Sequence, residues 1–189
     1  MSTSIKGLIG GFDLTVCPTY NTRASTLQVA KDRNMSAIIS KPIFDFEMLG
    51  SGNANYPKIA AALSEVGQFY PDFKNWFYFT FRRGLNISER KILIAHSSGD
   101  ISAIALIKDT PEEKKICTFF VLPEYRHMGL STFLMRKSLA ALGDNNISIT
   151  VAEERNEDLA RVLLANNFFL ADARTSVYRD GKTEFFYRR

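Results

Sequence analysis

The sequence predicts an α/β (α+β) fold: a mixed, mostly antiparallel sheet with a central parallel strand pair and helices on both faces. Three observations carry this. The run Lys115–Leu134, KICTFFVLPEYRHMGLSTFL, reads as a strand passing through a tight Gly-containing turn into a helix. A further apolar strand, ISITVA at 147–152, follows that helix, so the crossover sets it parallel to the strand at 115–122. Turn signals at Ser98-Gly99-Asp100 and Asp180-Gly181 join hairpins to either side.

The elements follow in order. Residues 42–49, PIFDFEML, alternate apolar and polar as a strand does. Pro57 suits a helix start, and Ile59, Leu63, Val66 and Tyr70 share one helical face until Pro71 breaks it. Phe73, Phe77 and Phe81 recur every fourth residue, predicting a second helix over 72–84, although the run WFYFTF also fits a strand. Residues 91–95 and 101–107 are apolar strands. In the helix of about 129–142, Leu130, Phe133, Leu134 and Ala141 share a face, and Gly143 ends it. A helix over about 156–166, with Asn156 near its start, and two strands around Asp180-Gly181 close the chain. Residues 1–40, rich in Ser, Thr and Asn with a strand-like patch at Phe12–Cys17, form an extension: an added strand and helix, an arm to a second subunit, or a partly disordered segment.

Bulk properties narrow the function class. A chain of 189 residues suits one core. A net charge of +4 reads as a solvated surface more readily than as a nucleic-acid footprint. Cys17 and Cys117 have no metal-ligand or disulfide spacing, so no metal is expected and a reducing compartment is the default. No apolar run approaches the roughly 20 residues of a membrane span. The GLIGGF stretch is cut short by Asp13 and does not resemble a signal peptide. The expectation is a cytoplasmic protein.

The centre of the strand–turn–helix is Arg126-His127-Met128-Gly129-Leu130-Ser131. Free backbone N–H groups at the positive end of a helix hold phosphate oxygens without a large basic cluster. Arg126 adds charge unless it pairs locally, and Ser131 offers a hydroxyl to a phosphate or caps the helix. His127 reads as an exposed loop residue.

This order and these residues resemble the GNAT superfamily of acyl-CoA N-acyltransferases. The family's strand end near V-x-P reads Val121-Leu122-Pro123 here, and its Q/R-x-x-G-x-G/A reads Arg126 through Ser131. A second family block aligns with Asn156 through Phe168. The resemblance covers roughly 41–189 and implies a GNAT-like domain there with acetyl-CoA as cosubstrate. Pantetheine would run along Phe119, Phe120 and Val121, with a backbone N–H near Val121 for the oxyanion. The pyrophosphate would sit on residues 127–132: His127, Met128, Gly129, Leu130, Ser131 and Thr132, beside Arg126. Asn156 joins the cofactor-binding set. Leu163 stands where many members carry a thiol-orienting Tyr, and Asn167 where they carry Gly. Tyr178, ahead of Tyr187, is then the candidate acid, against the plainer reading of a core or surface Tyr. Glu153 and Glu154 are candidate bases, against the plainer reading of solvated helix-start carboxylates.

The resemblance implies an N-acetyltransferase acting by direct amine attack on the thioester. Its acceptor would be a small molecule, a protein or aminoacyl-tRNA, and a homodimer fits the pattern. The alternative, favoured by Leu163 and Ser131, is a catalytically weak or inactive acyl-CoA sensor or protein-interaction module. An unrelated nucleotide-binding protein would need G-x-x-x-x-G-K-S/T or G-x-G-x-x-G, and neither is present.

Overall fold

A computed structural model describes residues 42–143 and 146–189. The extension expected over 1–40, with its patch at Phe12–Cys17, lies outside the described residues. Among the described residues seven strands form one sheet in the order β1-β2-β3-β4-β5-β7-β6. In chain order they are β1 (Asp45–Leu49), β2 (Arg90–Ser97), β3 (Asp100–Asp109), β4 (Lys114–Val121), β5 (Ile147–Ala152), β6 (Phe169–Thr175) and β7 (Thr183–Arg188). Among the described residues only β4 and β5 run parallel, joined by the crossover helix α5 (Leu130–Leu142).

Helices cover both faces. Alternate residues of β3 face opposite ways, as a pleated strand requires. Ala103, Ala105 and Ile107 pack with Leu134, Met135 and Leu139 of α5 and Leu163 of α6 (Glu153–Ala165). Ile104 and Leu106 pack with Ile59 of α1 (Tyr56–Ala62), Val66 of α2 (Val66–Phe69), Phe73 of α3 (Phe73–Asn75) and Leu85 of α4 (Arg82–Asn86). Burial on both sides explains the nearly unbroken apolar run of β3. The parallel pair, the hairpins and the two helical layers are those the sequence predicts.

The aromatic run resolves as helix. Between α3 and α4 the stretch Trp76–Phe81 is π-helical. Phe77 stacks on Phe73 at 6.0 Å and on Phe81 at 5.9 Å between ring centroids. A strand would have put Phe77, Phe79 and Phe81 on one face, but Phe79 is 75% exposed while the other two are fully buried.

Two boundaries differ from expectation. Helix α6 begins at Glu153, directly after β5, rather than near 156. Glu153 and Glu154 occupy its first turn, where the positive end of the helix dipole favours carboxylates. Asn156 therefore lies inside the helix. The last hairpin is not a tight Asp-Gly turn: residues 176–182 form a longer loop, with left-handed Ser176 and Gly181. The Ser176 amide donates to the Lys182 carbonyl at 2.8 Å and the Gly181 amide to Ser176 Oγ at 3.0 Å. Tyr178 consequently sits in a loop and not on a strand.

Replacing Phe77 by Ala should cost about 3–5 kcal/mol, because the cavity opens inside a stacked aromatic row. Phe79→Ala should stay within about 0.5 kcal/mol. Denaturant unfolding of both variants checks the contrast.

Candidate active site

The site begins with a loss of pairing. β4 and β5 are registered only over Lys114–Ile116 with Ile147–Ile149. Beyond that point β4 stays bonded to β3 and β5 stays bonded to β7. Each strand is thus held from outside while its inner edge is released, and alternate N–H and C=O groups face a wedge. Unpaired strand edges of this kind accept an extended chain as an added strand. At the apex β4 bulges: Leu106 pairs with Thr118 and Ile107 with Ile116, leaving Cys117 as the extra residue. A bulge re-aims its side chains, and Cys117 and Thr118 both line the wedge.

Two cavities meet at this apex. The first, about 310 Å³, runs between β4, β5 and α6 and includes Phe119, Phe120, Val121, His127 and Ser131. The second, about 420 Å³, lies under α3 and the π-helical stretch and reaches Tyr178. Tyr70, Cys117, Thr118 and Thr150 line both.

The first cavity ends at the expected phosphate loop. His127 and Gly129 take left-handed backbone angles, φ 63° and 80°. α5 opens at Gly129 with no side-chain cap, so its first amides are not claimed by a capping residue. Space beyond Gly129 is open: a Cβ built there would meet nothing within 4 Å. These features suit the approach of a phosphate oxygen. Met128 is half-exposed on the loop, Leu130 points into the core, and Thr132 donates its amide to the Gly129 carbonyl at 3.1 Å. Ser131 lines the cavity and does not cap the helix.

Several predicted residues take other roles. Arg126 lines the first cavity and is also engaged within the protein: Nε donates to the Val121 carbonyl at 3.1 Å, Nη2 reaches Glu65 at 3.3 Å, and the guanidinium lies over Phe120. It pins the loop to the end of β4. Asn156 is not among the cavity-lining residues, and its Oδ1 accepts from the Tyr187 hydroxyl at 2.8 Å, fastening α6 to β7. Leu163 is fully buried in the core rather than on the cavity wall. Arg155 and Arg161, which the sequence reading did not single out, line the wedge from α6.

Glu153 and Glu154 are ion-paired rather than poised. Glu154 receives both Arg179 terminal nitrogens, at 2.9 and 2.6 Å, which holds its carboxyl down at about pKa 2. Glu153 accepts from the Thr183 amide at 3.0 Å and from Lys182 at 3.3 Å, which lower its pKa in that order of effect. Carboxylates held this acidic are weak proton acceptors near neutral pH. Their work is structural: Arg179 also lies over Phe69, so one side chain ties the 176–182 loop to α6 and α2.

One buried carboxylate near the apex went unseen in the sequence; it lines neither cavity and reaches the apex only through Tyr70. Glu184 of β7 is only 1% exposed, and its Oε2 accepts from the Tyr70 hydroxyl at 3.2 Å. Burial raises its pKa above the usual carboxylate value against the lowering effects of Tyr70 and Arg179, and burial also raises Tyr70. Tyr178 packs edge-on against Tyr70, 5.2 Å between centroids, on the wall of the second cavity. Tyr187 is buried and absent from both cavity walls. The one signal for Glu184 is a carboxylate inside the otherwise aromatic strand TEFFYR. Cys117 is driven up in pKa by burial and is a poor nucleophile.

A splayed parallel pair, a β4 bulge and a glycine-led helix start define an acyl-CoA transferase scaffold. Residues 60–167 match the model of the Acetyltransferase (GNAT) family, and the chain belongs to the GNAT acetyltransferase family. Solved structures agree on the fold. A protein from Desulfovibrio desulfuricans assigned to the GNAT family is 15% identical, with a TM-score of 0.63 over 78% of this chain and 98% of its own. Ard1 from Thermoplasma volcanium is 14% identical, with a TM-score of 0.62 over 77% and 96%. A Bacillus anthracis protein assigned as a streptothricin acetyltransferase, solved with acetyl coenzyme A, is 14% identical, with a TM-score of 0.50 over 58% and 68%. No curated protein matches the sequence. Among the described residues no group of three His, Cys, Asp or Glu side chains is placed to hold a metal ion, and no helix is long and apolar enough to cross a membrane.

Gly129→Glu should weaken CoA binding at least tenfold by calorimetry, since it imposes a strained φ and sets a carboxylate against the phosphates. The Glu154–Arg179 pair gives an acid-range signature. Its folded pKa lies below the unfolded one, so its stabilisation is present above about pH 4.5 and is lost as pH falls towards 2. For a pair this exposed the effect is about 1 kcal/mol. Arg179→Met should flatten that part of the stability–pH curve measured by denaturant unfolding.

Proposed function

We propose that the chain is an acetyl-CoA-dependent N-acetyltransferase that moves an acetyl group to a primary amine by direct attack on the thioester, without a covalent enzyme intermediate. The observation carrying this is the meeting of two cavities at one apex: one leads from the phosphate loop, the other opens on the far side under the helices. Cofactor and acceptor can then approach the same point from opposite ends. In this reading residues 41–189 form the catalytic domain.

The wedge would seat pantetheine along Phe119–Val121, and the amides of residues 127–131 would face the pyrophosphate, the Thr132 amide being engaged by the Gly129 carbonyl. The oxyanion donor belongs nearer the apex than Val121, at the backbone of the Cys117–Thr118 bulge, where the thioester would lie. The acceptor ammonium gives one proton through the Tyr70 hydroxyl to Glu184, and the neutral amine attacks the carbonyl carbon. Collapse of the tetrahedral adduct breaks the C–S bond, and the departing thiolate takes the second proton from the new amide nitrogen. A thiol's low pKa means that this step needs little help from the protein. Tyr178, beside Tyr70, positions the hydroxyl and closes the acceptor side.

Glu184→Gln should lower kcat/KM by about 10²–10⁴-fold, and Tyr70→Phe by a similar or smaller factor, in a free-thiol assay with acetyl-CoA and an amine panel. Burial raises the pKa of Glu184, so its proton-accepting form is lost as pH falls, at a pH above the usual carboxylate range. The acid limb of kcat/KM should vanish in the Gln variant. Unchanged turnover in both variants would remove the base from this position. The competing reading, an acyl-CoA sensor, draws on Leu163 standing in the core where the family resemblance implies a tyrosine. Tight acetyl-CoA binding with no turnover on any amine would select it.

A further inference from the structure

We propose that the acceptor is a small primary amine that also carries a carboxylate, set several bonds from the reacting nitrogen, and that Arg90 and Lys115 hold that carboxylate. This rests on the N-acetyltransferase reading above and adds the substrate class. Three basic residues stand side by side on neighbouring strands: Arg90 of β2 is registered with Lys108 of β3, and Lys108 with Lys115 of β4. Like charges directly opposite on a sheet repel, and all three line the second cavity. Glu113 pairs directly with Lys108, at 2.7 Å, and acts on Lys115 and Arg90 at longer range. Asp72, the other carboxylate on the wall, accepts from the Asn75 side chain at 3.0 Å. Among the described residues neither Arg90 nor Lys115 has a salt-bridge partner, and with three cations against two carboxylates the cavity wall carries a net positive charge.

Arg90 is fixed in place. Its guanidinium lies 5.6 Å from the Trp76 ring centroid and 5.3 Å from that of Phe81. Gly84 backs it so closely that a Cβ there would come within 2.6 Å of Nε. Nε and Nη1 are enclosed and have no hydrogen-bond acceptor. Two enclosed N–H groups without an acceptor among the described residues are costly, and an oxyanion in the adjoining cavity would offset the charge of the partly exposed guanidinium that carries them. Lys115 lies two residues before Cys117 on β4, about 6.6 Å along the strand. An amine at the apex and an anion at the basic row are therefore separated by a short spacer. Phe73, Trp76 and Tyr178 give that spacer an apolar wall.

The test compares 5-aminopentanoate, its carboxamide, pentylamine and 1,5-diaminopentane as acceptors with acetyl-CoA. The carboxylate should exceed the carboxamide in kcat/KM by about tenfold or more, as expected for a charge-assisted contact. Arg90→Met, which keeps the packing against the rings, and Lys115→Gln should each bring the two substrates close to parity, mainly through KM. Gly84→Ala, by displacing the guanidinium, should lower the preference as well. Equal or better turnover of the carboxamide, pentylamine or diamine would overturn the inference while leaving N-acetyltransfer intact. If no amine is turned over, glutarate should still raise the Tm of CoA-loaded wild type and not that of Arg90→Met; no shift in wild type overturns the proposal. Failure of acetyl-CoA to bind would instead bring down the transferase reading itself.

Discussion

Everything in this molecule that bears on chemistry follows from the early separation of β4 and β5. Two parallel strands that stayed paired would close the sheet and leave no wedge, no exposed inner edges and no apex. The separation is stable because neither strand loses its outer partner: β3 holds one and the antiparallel β7 holds the other. The unpaired inner groups face a cleft instead of a dry core, so the cost of leaving them without a partner is kept small. The bulge at Cys117 then turns two successive β4 residues toward the apex, which an unbroken pleat would not allow.

The rest of the fold serves this wedge. α5 starts at the mouth of the first cavity, with its uncapped amides and left-handed Gly129, and its C-terminal Leu142 carbonyl accepts from Lys114 at the root of β4. Arg126 secures the turn by bonding the last carbonyl of β4 and Glu65. The helical layer on the opposite face brings Tyr70 to the apex and places Trp76 and Phe73 over the second cavity. Arg179, held by Glu154 and lying over Phe69, keeps the 176–182 loop and Tyr178 in position.

Local features were readable from the chain. The strand–turn–helix around Gly129, the crossover to 147–152 and the helical face of Phe73, Phe77 and Phe81 are all set by neighbours within about one or two turns, and sequence spacing reports them directly. Features that depend on register were not. Tyr70 and Glu184 are far apart in sequence, and the inward aim of Glu184 depends on how β7 pairs with β5 and β6. The row Arg90–Lys108–Lys115 exists only once two strand pairings are fixed. Glu153 and Glu154 follow the strand after which a base is expected, but a helix dipole, an arginine and a lysine account for them. Asn156 misled through the helix start: three residues of shift moved it from the mouth of the helix to a buttress on Tyr187.

The Tyr70–Glu184 hydrogen bond has a mechanical side. Glu184 belongs to the three-strand group β5-β7-β6, whereas Tyr70 rides on the helical layer packed over β1–β4. Their contact is a tether across the wedge, between two halves of the sheet that share only a short stretch of pairing. Any breathing motion that widens the wedge stretches this tether and parts the carboxylate from the phenol. In the proposed mechanism the width of the wedge and the proton path from the apex to Glu184 are therefore coupled. A molecule that sets the spacing of the two halves would also set whether that path is continuous.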